Sequence, residues 1–131
     1  MSEIITDNLT GKTSAGNVTI TSEGGSATMQ LQQGLAKAWI NFNGTGTIAS
    51  RDSFSVSSIS DNGTGSTTLT FSNAFNSADY VLNYTTGYGA SANFTGTAPT
   101  TTTAKIQGYR TDTGANQDRT YNLVALHGDM A

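Results

Sequence analysis

The run DNGTGS at positions 61–66 lies between FSVSSIS (54–60) and TTLTF (67–71), two stretches in which apolar residues alternate with hydroxyl residues. Alternation with a period of two marks a strand buried on one face, and an Asn-Gly pair accepts the positive φ of a type I′ turn. The combination demands an antiparallel hairpin. The same grammar appears in KAWINF (37–42), which runs into Asn43-Gly44. Strand-like runs recur at DYVLNYTT (79–86), AKIQGYR (104–110) and TYNLVALHG (120–128), with SANFTGT (91–97) as a weaker one. Short strands at even spacing predict an all-β sandwich or barrel. Its expected core is Trp39, Phe42, Phe54, Val56, Ile59, Leu69, Phe71, Tyr80, Leu82, Ile106, Leu123 and Leu126. No helix is expected, because the only run of helical composition, MQLQQGLAKAW (29–39), is interrupted by Gly34.

Upstream of residue 36 the pattern thins. EIITDNL (3–9), GNVTITS (16–22) and ATMQLQQ (27–33) are short, separated by Gly- and Ser-rich turns, and offer only Ile4, Leu9, Val18, Ile20, Met29 and Leu31 as principal apolar side chains. Those are too few to enclose a core within one chain, whereas copies placed side by side would close one. The chain is therefore expected to divide into an N-terminal association stalk, residues 1–35, and an antiparallel β-sandwich knob, residues 36–131.

Only 11% of the residues are charged, and the net charge is −3. The 6 Lys and Arg residues are scattered singly, so no basic stripe tracks phosphates and nucleic acid is excluded as a partner. Hydroxyls and amides must solvate the surface. With no cysteine there is neither a disulfide framework nor a thiolate metal site. A small polar chain of this kind gains stability from packing and association. The first residues, MSEIITDNLTGKTSAG, lack a basic start and a long apolar run, so no secretory signal is expected. No stretch approaches the ~20 apolar residues of a membrane span, and no membrane insertion is expected.

Little in the chain suggests catalysis. His127, the only histidine, ends the last strand-like run and reads as a strand-end residue, since a triad base needs a positioned nucleophile and acid. The acids Glu3, Asp7, Glu23, Asp52, Asp61, Asp79, Asp112, Asp118 and Asp129 fall on no spacing that marks a catalytic pair. RTDTGANQDR (110–119) sets Asp112, Gly114, Asn116 and Asp118 at alternating positions, as calcium loops do. Gln117 stands where such a loop needs glycine, however, and Leu123 where it needs the bidentate glutamate. The run reads as a polar hairpin loop whose acids pair with Arg110 and Arg119. No enzymatic activity, cofactor or metal is expected. NYTTGYGASANF (83–94) differs, because its aromatics sit among Asn, Ser and Thr, a mix that stacks on a sugar face and reads its hydroxyls. Tyr84, Tyr88, Asn93 and Phe94, with Asp112 and Asn116, are the candidate glycan contacts. The plainer reading is that these aromatics line the core or a subunit contact.

The segment KAWINFNGTGTIASRDSFSVSSISDNGTGSTTLTFSNAFNSADYVL (37–82) is similar to one that recurs in fibre and tail-fibre-like proteins of marine and freshwater bacteriophages. Lys37-Ala38-Trp39, Asn41 to Gly46, SFSVSSISDNGTG and ADYVL carry the resemblance, and the YNLVALHGD ending resembles the close of such domains. The chain departs at Phe75-Asn76, where family members often have a Pro-containing pair such as Met-Pro. The resemblance implies a virion surface protein, assembled in the host cytoplasm. It implies a homotrimer with a slender β-rich N-terminal part and a jelly-roll-like knob. Residues 1–35 would attach to another virion protein, and in a tail fibre the knob would meet a host-surface glycan. No catalytic residues carry over. A capsid-decorating head fibre or cement protein is the first alternative, and a small lectin-like carbohydrate-binding module is the second.

Overall fold

The computed structural model describes residues 3–12, 18–87, 90–94 and 98–131, with 90–94 described through the backbone. The chain is nearly all β, built of antiparallel sheets, and falls into two compact units, Met1–Leu35 and Ala36–Ala131.

In the first unit, β1 (Thr19–Thr21) and β2 (Thr28–Gln30) form a hairpin that sets Ile20 opposite Met29. Gly25, at φ 74°, lies in its turn and donates its N–H to the Ser22 carbonyl. One helical turn follows, α1 (Leu31–Gly34), anchored by the Leu31 N–H on the Val18 carbonyl. The unexpected helix is thus a single turn, and it ends at the glycine that interrupts the run. Residues 3–9, expected to be extended in a strand, form none. No described residue of this unit is buried. Ile4 and Ile5 are each 85% exposed, and Leu9, Ile20 and Met29 are also open to solvent, while Val18 and Leu31 are half-buried.

The second unit holds β3 (Ala38–Asn43), β4 (Ala49–Phe54), β5 (Val56–Asp61), β6 (Ser66–Phe71), β7 (Val81–Thr86), β8 (Ala90–Phe94), β9 (Thr103–Arg110) and β10 (Asn122–His127). They form two four-stranded antiparallel sheets, β4-β3-β10-β7 and β5-β6-β9-β8. The central strands do the burying. Ala38, Ile40 and Phe42 of β3 and Val124 and Leu126 of β10 join Leu69 and Phe71 of β6 and Ala104 and Ile106 of β9 in one cluster, which makes the unit a sandwich. Each fully buried Leu, Ile or Phe contributes about 1.5–3 kcal/mol. The edge strand β4, with the sequence ASRDSF, is exposed along its whole length.

Pleat parity corrects part of the expected core. Because Ala38, Ile40 and Phe42 point inward, Trp39 between them must point out, and it is 37% exposed. Leu123 lies outward on β10 for the same reason. Phe54 is also outside, because FSVSSIS is two strands rather than one. Phe54 ends β4, Ser55 adopts φ 58°, and the chain enters the other sheet at Val56, which packs against the core. Left-handed φ is uncommon outside glycine. This corner is tied by the Ser72 N–H on the Ser55 carbonyl and by Asn73 Nδ2 on Ser55 Oγ.

The β5–β6 hairpin forms, but Asn62-Gly63 is not a type I′ pair. The loop is Gly63–Thr64–Gly65, closed by the Asn62 N–H on the Ser66 carbonyl and the Ser66 N–H on the Gly63 carbonyl. Gly63 and Gly65 take φ 102° and 72°, the form of a three-residue loop with a left-handed glycine. Gly65 also donates to Asp118 Oδ1 at 2.6 Å and accepts from the Gly108 N–H, so the loop is pinned to β9 and to the β9–β10 connection. At the other end of the sandwich Phe71, Phe75 and Tyr80 pack as an aromatic trio, with Phe71 and Phe75 edge to face at 5.1 Å. Phe75 is 1% exposed, core that the strand pattern did not reveal. The C-terminal residues close over this end: Phe75 bridges Met130, and the Asn76 N–H donates to the Asp129 carbonyl.

Candidate functional site

The expected glycan contacts do not converge. Tyr84 packs against the core from β7, and its hydroxyl donates to Asn122 Oδ1 at 2.7 Å. Asn122, 3% exposed, spends its Nδ2 on the Arg119 carbonyl at 2.7 Å and the Phe42 carbonyl at 3.4 Å. Burial pushes the Tyr84 phenol up to about 12, with the Arg119 charge acting in the opposite direction. The adjoining space, about 10 Å³, has room for one water and no ligand. Tyr84 is thus a structural tyrosine, joined to a buried asparagine that the sequence did not single out.

Asn93 and Phe94 lie on edge strand β8, in register with Gln107 and Ile106. Tyr88 lies outside the described residues. Asp112 and Asn116 share one exposed turn. Arg110 grips Asp112 through Nε to Oδ1 at 2.9 Å and Nη2 to Oδ2 at 2.5 Å, and that hydrogen-bonded pairing holds the carboxyl below the ordinary aspartate range. Gly114, at φ 69°, turns the chain, and Asn116 bridges back to Tyr109. The turn is local: β9 and β10 belong to different sheets, so 110–119 belongs to a crossover rather than to a β9–β10 hairpin. Among the described residues no three His, Cys, Asp or Glu side chains gather as a metal site, and no helix is long and apolar enough to cross a membrane.

The outward face of the β4-β3-β10-β7 sheet is a different matter. Strand register lines up two rungs across it: Phe54, Trp39, Ala125 and Asn83 in one, Asp52, Asn41, Leu123 and Thr85 in the next. Beyond the first rung His127 pairs with Val81. Ala125 is small and its cross-strand neighbours are not, so the sheet carries an open depression of about 430 Å³ walled by Trp39, Asn83 and Leu123. Arg51, from β4, reaches Asn41 Oδ1 at 3.3 Å and stacks its guanidinium over the Tyr121 ring at 4.6 Å. The opposite sheet presents Ser58, Ser60, Thr68, Thr70, Lys105 and Gln107 instead, with the half-buried Tyr109 at the end of β9.

What the sequence missed here is the side of the sheet. Trp39 and Leu123 were legible as strand residues, and only the inward parity of Ala38, Ile40 and Val124 shows that they face solvent. The fold is that of an all-β, sandwich-type protein. Protein-family models, curated proteins and solved structures contain no match to the chain.

Proposed function

We propose that the chain is a fibre-like surface protein of a phage virion, a homotrimer. Residues 1–35 join the copies and attach them to another virion protein, and residues 36–131 face outward toward the host surface. The observation that carries this reading is the contrast in burial. The second unit encloses its own core, whereas Ile4, Ile5, Leu9, Ile20 and Met29 of the first lie open. Apolar side chains held out on a two-stranded hairpin, as Ile20 and Met29 are, or on a segment without strand, as Ile4, Ile5 and Leu9 are, stabilise nothing in one copy, and each gains of the order of 1–2 kcal/mol when copies cover one another. The phage assignment rests on the similarity of residues 37–82 to fibre segments.

A cysteine-free chain makes the test direct. Ile20→Cys in the full chain should form covalent dimers on mild oxidation, because the hairpin faces of neighbouring copies meet. Thr68→Cys, on the polar outer face of the second unit, should stay single. An Ile20→Cys chain that remains uncrosslinked would remove the physical basis for the fibre.

A further inference from the structure

We infer that the outward face of the β4-β3-β10-β7 sheet is a binding site for a neutral saccharide, seated over Ala125 between Trp39 and Asn83. This deepens the proposed outward role of the second unit, and rests on it only for the biological reason a ligand is met there.

Three features point to a sugar. The indole of Trp39 is an apolar, electron-rich platform on a rigid central strand, and a pyranose presents C–H groups on one face to such a ring. Around it, the rungs place an amide, a carboxylate, a second amide and a hydroxyl at Asn41, Asp52, Asn83 and Thr85. Trp39 and Asn83 stand two strands apart, roughly 10 Å, which leaves the floor of Ala125 between them. The depression of about 430 Å³ falls within the usual range for small-ligand sites.

The hydrogen-bonding state of these groups decides between occupants. Asp52 Oδ1 accepts the Ser53 N–H at 2.9 Å, and Asn41 Oδ1 accepts from Arg51. The second Asp52 oxygen, the Asn41 amide nitrogen and the side chains of Asn83 and Thr85 make no hydrogen bond among the described residues. They offer donors and acceptors together, as sugar hydroxyls require. A second copy of this chain laid on the face would strip water from all of them. The positive charge within reach, Arg51, is already occupied by Asn41 and Tyr121, so nothing selects an acidic sugar.

Trp39 is the only tryptophan, so the site carries its own reporter. The intact chain is titrated with maltotriose, chitotriose and lactose while Trp39 emission is followed. At least one should produce a saturating change with a Kd of about 1 mM. Asn83→Ala and Thr85→Ala, both exposed and remote from the core, should each weaken that saccharide about fivefold and leave the thermal midpoint unchanged. Lys105→Ala, on the opposite sheet, should leave the affinity unchanged. No response to any of the three sugars overturns the proposal. So does acrylamide failing to quench Trp39 in the assembled chain and quenching it on dilution, since a second copy then covers the face. The emission reads this face in any oligomeric state, so its failure is distinguishable from failure of the fibre reading, which is decided by crosslinking at Ile20.

Discussion

The two units of the chain solve the same problem at different scales. Both are built from short antiparallel strands with polar turns, yet among the described residues one buries eleven apolar side chains and the other none. The difference is strand number and layering. A two-stranded hairpin has two faces and nothing to press them against, whereas eight strands in two sheets place the inward faces of four central strands against one another. The strands of the first unit are short and carry one apolar residue each, Ile20 and Met29, which form a cross-strand pair. What they lack is a second layer, and an identical copy is the simplest source of one.

Substitutions sharpen this contrast in descending order. Leu69, wholly buried between the sheets, should lose about 3–4 kcal/mol of stability on change to Ala, read as a drop in the urea midpoint of residues 36–131. Gly65→Ala should cost about 2–3 kcal/mol. Its φ of 72° disfavours any side chain, and the new Cβ would strike the Gly108 carbonyl and approach the Gln117 nitrogen at 2.8 Å.

Alkaline pH separates the units next. All tyrosines lie in the second unit. Burial pushes the Tyr80 and Tyr84 phenols up to about 12 from an ordinary 10.0. A raised folded-state value means that the neutral form is favoured by folding. Their contribution is therefore complete below pH 10 and is lost as pH rises toward 12. Melting curves of residues 36–131 between those limits should fall steeply, and Tyr84→Phe should shallow the fall. The smallest effect is at Ile20→Ser, which should shift the sandwich midpoint by under about 0.5 kcal/mol while lowering the mass of the assembly. A large shift in the sandwich from that change would break the contrast.

On β6 the alternation was legible, and Leu69 and Phe71 point inward as expected; on β3 and β10 the expected core mixed the two faces, taking Trp39 with Phe42 and Leu123 with Leu126 where Ile40 and Val124 are the inward partners. Where two constraints overlapped, the pattern failed. Phe54 and Val56 share the spacing of one strand, but the left-handed Ser55 between them sends the chain from one sheet to the other, and nothing in a serine announces that φ. β4 carries no apolar alternation, since an edge strand needs only backbone pairing with β3. Phe75 sits in a loop, buried by Tyr80 and by the C-terminal Met130, a long-range contact that has no local signature. The candidate loop contacts failed for a related reason: Tyr84 looked available from its neighbours, and its partner, Asn122, is 38 residues away. The Trp39 face was hidden by the ordinary expectation that a lone tryptophan on a strand belongs to the core.

In the proposed fibre, residues 1–35 hold copies together while residues 36–131 fold alone. Light scattering on the full chain and on a chain beginning at Ala36 tests it most directly. The first should have the mass of a trimer and the second that of a folded monomer. A monomer in both, or an oligomer that survives removal of the first 35 residues, would contradict it.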